Sequence, residues 1–403
     1  GAGRRGSTEP GARASEGGGG VLGDSAASVP KKKGQIPTAS GMEYFAKCRL
    51  MDEEWHVCMD EAYPHLLDGN SEFTVVASVG AQGAGKSTVL SLLLASIRGA
   101  IGGKRASGKD APRDRDGNGI GTNADAEPID SGEEKVPAAP LRLPLDIHQA
   151  ASFLEGRASA AGVNMCVSTL DRLLLLDAQP LFHYDTTSEV ELKSELHFVL
   201  FLASICHTLV VVMDTPVDAQ LLKFLRLLAT LKAKLPDLAD WVERRGEGSD
   251  YTEKHSGDQR SAAEQHSTPA LRESLPRLVV AFNVESRLAN AELFRTAQTF
   301  LEHSPWNAAP SLHFVRIPTL PGGSLGAMLS SEAAYSAGMR LRECVLCCGP
   351  ARGRFGKDGT QFTEREWLRD IQRFWEFMQN APLVHEYFGV LAKGPESYGW
   401  PKF

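Results

Sequence analysis

The residues best suited to chemistry stand together as Gly80-Ala81-Gln82-Gly83-Ala84-Gly85-Lys86-Ser87-Thr88. The spacing Gly-x-x-x-x-Gly-Lys-Ser permits a turn whose backbone N–H groups all point inward at a phosphate chain, which side chains at the glycine positions would obstruct. In that arrangement Lys86 reaches the β- and γ-phosphates, the Ser87 hydroxyl is a ligand for Mg²⁺, and the positive end of the following helix faces the anion. The expected binding set is Gly80, Gln82, Gly83, Ala84, Gly85, Lys86, Ser87 and Thr88, with a purine nucleotide (GDP/GTP or ADP/ATP) and Mg²⁺ as ligands.

Such a loop works only between a strand and a helix. The β-rich run Phe73 to Val79 precedes it, and Val89, Leu93 and Ile97 with Leu90 and Leu94 follow at helical steps. Further on, Met165 to Thr169 and Arg172 to Asp177 read as two β runs joined tightly at Leu170-Asp171. The second contains Leu173 to Leu176 in succession, the pattern of a strand covered on both faces. Asp177 closes it, where a phosphate-loop protein places the carboxylate that holds Mg²⁺ through water, so Ser87 and Asp177 are the expected metal residues.

The elements that must position these residues can be read in order. Residues 1–40 are rich in Gly, Ala, Ser and Arg and carry few large apolar side chains, so a disordered tail is expected, without a secretory signal. Residues 41–345 read as the phosphate-loop domain and 346–403 as a C-terminal helical segment. From Met42 to Leu67 the apolar residues Tyr44, Phe45, Cys48, Met51, Trp55, Cys58 and Met59 recur every three or four positions, which predicts a helix. Polar stretches near 99–136 and 244–268 read as insertions, and Ile147 to Glu155 as a short helix. A capping box at Ser188-x-x-Glu191 opens a helix through Ala203. Strands are expected at Thr208 to Met213, Leu278 to Phe282 and Leu312 to Ile317, with a helix bearing Leu221, Leu222, Leu225 and Leu228. A second box, Thr363-x-x-Glu366, opens a helix with an aromatic stripe of Trp367, Ile371, Phe374, Trp375 and Met378, either covering the sheet or facing a partner; one more helix carries Val384 to Leu391. Strands alternating with helices give an α/β fold with a mostly parallel sheet and helices on both faces, ligand at the strands' carboxyl ends.

Composition narrows the class. No run approaches the roughly 18 consecutive apolar residues of a membrane span. The net charge of -7 gives no reason to expect direct nucleic-acid binding. The seven cysteines are scattered, as in a reducing, cytoplasmic compartment. Cys344-x-x-Cys347-Cys348 has no second Cys/His pair at finger-like spacing, so buried thiols are the reading there.

Departures from an active guanine-nucleotide hydrolase matter as much as the match. After its Mg²⁺ carboxylate such an enzyme has two residues and a Gly whose amide binds the γ-phosphate; here the run is Asp177-Ala178-Gln179-Pro180, and proline has no N–H. Guanine is normally read by Asn-Lys-x-Asp, but the run here is Asn283-Val284-Glu285-Ser286. Losing that carboxylate removes a charge-assisted hydrogen bond of about 1.5 to 3 kcal/mol, a factor of roughly 10 to 150 in base preference. No Thr stands in the loop before Met165 to sense a γ-phosphate; Ser159 is the nearest hydroxyl.

The phosphate loop with Gln82, the Leu-rich strand ending in Asp177-Ala-Gln-Pro180, the run Ile205-Cys-His-Thr-Leu-Val-Val-Val-Met-Asp214 and the Trp-containing C-terminal helix together resemble the SMG-nine family. The similarity runs from about Met42 to Leu391, outside the two insertions. It implies a G-domain-like P-loop fold with a helical addition, nucleotide binding at Gly80 to Thr88, and no catalytic residue. It also implies a regulatory, scaffolding role in nonsense-mediated mRNA decay, paired with an SMG-eight-like G-domain protein and docked on an SMG-one-like kinase. An active dynamin-like GTPase or ATPase is the competing reading, favoured by the intact loop and Asp177.

Overall fold

Alternation of apolar residues across successive strands builds the molecule around a single sheet. The computed structural model describes residues 45–106, 162–182, 189–246, 275–284, 290–309, 311–318, 331–346 and 362–392. The strands are β1 (Phe45–Met51), β2 (Thr74–Gly80), β3 (Val163–Ser168), β4 (Leu173–Ala178), β5 (Thr208–Met213), β6 (Arg277–Phe282) and β7 (Leu312–Arg316). The helices are α1 (Met59–Ala62), α2 (Lys86–Ala106), α3 (Glu189–Ile205), α4 (Ala219–Lys232), α5 (Leu238–Gly246), α6 (Ala291–Glu302), α7 (Glu332–Leu346), α8 (Glu364–Gln379) and α9 (Pro382–Ala392). Strand order is β1-β3-β4-β2-β5-β6-β7. From β4 to β7 all neighbours are parallel, whereas β3 is antiparallel to both β4 and β1.

Successive strand residues point to opposite faces. Val76, Leu173, Leu175, Val210, Val212 and Val279 pack with α2 and α7 on one face. Val75, Val79, Leu174, Leu176, Leu209 and Val211 pack on the other with α3, α4, α6 and α8. The expected α/β class and mostly parallel sheet are therefore present. The chain leaves β2, builds β4 on one side of it and then β5 on the other. The order reverses about β2, and a crevice is expected at its carboxyl end.

Several expectations are corrected. Met42 to Leu67 is not one helix: Phe45–Met51 is an edge strand, and only Met59–Ala62 and a 3-10 turn at Tyr63–His65 are helical. The register shifts between Arg49 and Met51, which places both Leu50 and Met51 inside. That bulge breaks the period of two and leaves Phe45, Cys48 and Met51 at a helix-like spacing. The first insertion begins later than residue 99, because α2 continues to Ala106, and α5 runs past Arg244 to Gly246. α5, α6 and α7 are additional to the expected helices. The tail over residues 1–40, the short helix at 147–155 and Ser188 lie outside the described residues.

The Thr363–Glu366 capping box is present, with the Glu366 amide donating to Thr363 Oγ1 at 3.3 Å and Thr363 N–H to Glu366 Oε2 at 2.9 Å. Trp367, Ile371, Phe374, Trp375 and Met378 are all buried, and Trp367 Nε1 donates to the Ile205 carbonyl at 3.1 Å. Burial answers the question left open by the stripe: it packs within the chain, against Phe201 of α3 and Trp241 of α5, and the partner-facing alternative for these side chains is overturned.

At the end of the sheet away from the phosphate loop, two adjacent turn residues grip both helical layers. Asp171 accepts from Arg342 of α7 at 2.6 and 3.0 Å. Arg172, at φ 48, pairs with Glu364 of α8. Glu364 is 0% exposed and also accepts from the Leu67 amide at 2.9 Å and Asn70 Nδ2 at 2.7 Å. Glu364→Ala should therefore leave Arg172 and the Leu67 amide without their acceptor and cost about 3 to 5 kcal/mol of unfolding free energy in urea titrations.

Candidate functional site

The loop at the end of β2 is shaped by what surrounds its glycines. Gly80 has φ +156, and a Cβ there would stand 2.4 Å from the Val212 carbonyl oxygen of β5. Gly83 has φ 79. Gly85 has φ +93, and a Cβ on it would meet Asn283 Nδ2 at 2.4 Å. These constraints come from the protein's own backbone and from Asn283, in addition to the room a phosphate needs. Asn283 follows β6; its Nδ2 donates to the Ala84 carbonyl at 2.9 Å, and its own amide donates to the Met213 carbonyl at 2.8 Å. The sequence pointed to Asn283 only as part of a base-reading run. Its side chain in fact braces the loop, while Glu285 and Ser286 lie outside the described residues.

Two sequence-predicted metal residues, ninety positions apart, meet directly. Ser87 Oγ donates to Asp177 Oδ2 at 2.6 Å, and Ser78 Oγ of β2 donates to Asp177 Oδ1 at 3.3 Å. Ser78 was not singled out in the sequence; its in-register pairing with Asp177 across β2 and β4 is the signal that places it here. Burial raises the pKa of the Asp177 carboxyl above its ordinary value, while hydrogen bonds from Ser87 and Ser78 and the charges of Lys86 and Lys47 oppose the rise.

Lys86 is buried, and its Nζ donates to the carbonyls of Gly80 at 3.2 Å and Ala81 at 3.1 Å. Burial lowers its pKa to about 8, with Asp177 pulling the other way. Loss of water thus outweighs mutual attraction for both charges. Gln82 Oε1 is buried without a hydrogen-bond partner, Ala84 is fully buried, and Thr88 follows in the first turn of α2. The opening amides of that helix have no carbonyl one turn back and face the loop's concavity.

This donor set fits a polyphosphate with a hard divalent cation. Ser87 and Asp177 offer oxygen ligands of the kind Mg²⁺ prefers, and Gln82 Oε1 is an acceptor suited to a metal-bound water. Bound Mg²⁺ would neutralise phosphate charge there, and Lys86 would exchange its two carbonyl partners for phosphate oxygens. Of the zinc reading, Cys344 lies in α7 while Cys347 and Cys348 fall outside the described residues. Among the described residues no helix is long and apolar enough to cross a membrane.

Comparison with family models finds no match, and neither does comparison with curated proteins.

The buried lysine gives the site a proton signature. With a pKa of about 8, Lys86 is about half neutral at that pH, and a polyanion beside it would raise the pKa, so binding should take up about half a proton at pH 8 and about a tenth at pH 7. Calorimetric titration in buffers of different ionisation enthalpy measures the difference. Equal proton uptake at the two pH values would contradict it.

Proposed function

We propose that this is a nucleotide-binding domain of the phosphate-loop class, G-domain-like in organisation, that holds a purine nucleotide with Mg²⁺ and does not hydrolyse it at a useful rate. The observation that carries the reading is the convergence of Lys86, Ser87 and Asp177 at the carboxyl end of β2, with Pro180 three positions beyond the carboxylate. The first set suits binding. The second removes a donor where transition-state charge would develop.

On the strength of its resemblance to the SMG-nine family, the protein serves as a regulatory and scaffolding subunit in nonsense-mediated mRNA decay. In that role it is cytoplasmic, pairs with an SMG-eight-like G-domain protein and docks on an SMG-one-like kinase. A chain whose output is a surface needs a stable nucleotide site more than a catalytic one. With the aromatic stripe of α8 buried, docking falls to other surfaces.

The second reading, an active NTPase, is favoured by the short Ser87 to Asp177 contact, which is the pair a catalytic Mg²⁺ would use.

Turnover separates the two. With Mg²⁺ and millimolar ATP or GTP, release of phosphate should be no faster than in the Lys86→Ala variant; turnover near one per second that the variant abolishes would establish the NTPase instead. For the scaffold role, affinity isolation from native lysate should recover a large kinase and a G-domain-like partner in stoichiometric amounts. A monodisperse monomer at micromolar concentration, with neither protein recovered, would refute that assignment.

A further inference from the structure

Beyond Asp177 the backbone runs through Ala178, Gln179, Pro180, Leu181 and Phe182, alongside the first residues of the phosphate loop. In a nucleotide switch this stretch turns an amide toward the third phosphate when it is present and releases it when it is gone. Here the amides of Gln179, Leu181 and Phe182 each have another partner. Ala178 is in register with Val163 in the β3–β4 ladder. Gln179 N–H donates to the Gly162 carbonyl at 2.9 Å, and the Gln179 side-chain oxygen accepts from Gly162 N–H at 3.0 Å. Pro180 is buried and has no N–H. Leu181 N–H donates to the Gly80 carbonyl at 3.0 Å and forms a parallel bridge with Ala81. Phe182 N–H donates to Glu195 Oε1 of α3 at 2.9 Å, with its ring set edge-on against Phe224 of α4 at 5.4 Å.

The stretch is thus fastened to β3 at one end, to the loop's first glycine in the middle, and to two helices at the other end. Gly162 is itself constrained: it has φ +84, and a Cβ there would stand 2.2 Å from the Met51 carbonyl oxygen. To offer an amide to a γ-phosphate, the protein would have to give up one of these hydrogen bonds and rearrange the segment that they fasten, and that cost offsets the charge-assisted bond gained. A ligand moves an equilibrium only by its differential affinity for the two conformations. We propose that the site does not read the third phosphate: purine nucleoside di- and triphosphates bind with similar affinity and leave residues 177–182 in one conformation. The inference rests on the nucleotide-binding reading above and adds the regulation of that site, namely that nucleotide acts as a fixed ligand of the fold and its phosphate count carries no signal.

The test uses the full chain stripped of nucleotide with EDTA, titrated with fluorescent di- and triphosphates of adenosine and of guanosine in the presence of Mg²⁺. For the base that binds, the two dissociation constants should agree within about threefold. Amide hydrogen exchange at Gln179, Leu181 and Phe182 should be the same in the two complexes. A triphosphate bound tighter by about tenfold or more, or protection of these amides that only the triphosphate induces, would overturn the proposal while leaving the nucleotide site intact. Failure of all four nucleotides to bind at millimolar concentration would remove the nucleotide reading itself, and this inference with it.

Discussion

The carboxylate of Asp177 ends a strand buried on both faces and is held there by two hydroxyls, one from the neighbouring strand and one from the first turn of α2. Lys86, its electrostatic counterpart, folds back on the carbonyls of Gly80 and Ala81. An unpaired charge in this position would be costly, and each group is displaced toward its neutral form. The arrangement persists because the apolar layers on both faces hold β2, β4 and α2 in place whatever the charges prefer. Stability of the core is what holds two reluctant charges beside the loop.

The same logic explains why the loop's neighbours constrain it so closely. Val212 of β5 and Asn283 beyond β6 leave no room for a side chain at Gly80 and Gly85. The strand order therefore matters to the loop as well as to the crevice. With β5 hydrogen-bonded beside β2, and β6 beside β5, the ends of two successive strands close on the loop from one side. The Leu181 amide closes on Gly80 from the other.

How much of this could be read in the chain depends on how local the cause is. The glycine turn between β2 and α2, the apolar strands β2, β4, β5 and β6, and the Thr363 capping box were legible, because glycine spacing, a run of leucines and a three-residue reciprocal hydrogen bond are properties of short segments. β1 was not, since its strand character comes from pairing with β3 more than a hundred residues away and its bulge imitates a helical period. α7 has an apolar face built largely of small residues, Ala334, Ala337 and Gly338, which give a weak periodic signal yet suit close approach. A Cβ on Gly338 would lie 2.4 Å from the Leu92 carbonyl oxygen of α2, a constraint that appears only once the two helices are packed. At the site, Lys86, Ser87 and Asp177 were identifiable by residue type. The bracing role of Asn283 and the fastening of residues 179–182 were not, because each is a contact between elements.

The β3–β4 turn has a mechanical meaning. Asp171 and Arg172 hold α7 and α8, one on each face of the sheet, and β4 begins at the next residue. A β-strand under tension is nearly inextensible, and β4 is a strut of roughly 20 Å with the grip at one end and Asp177 at the other. The path from either grip to the carboxylate therefore runs through a strand and crosses no loop. Both layers are thus tied to one turn, and that turn is continuous through β4 with Asp177.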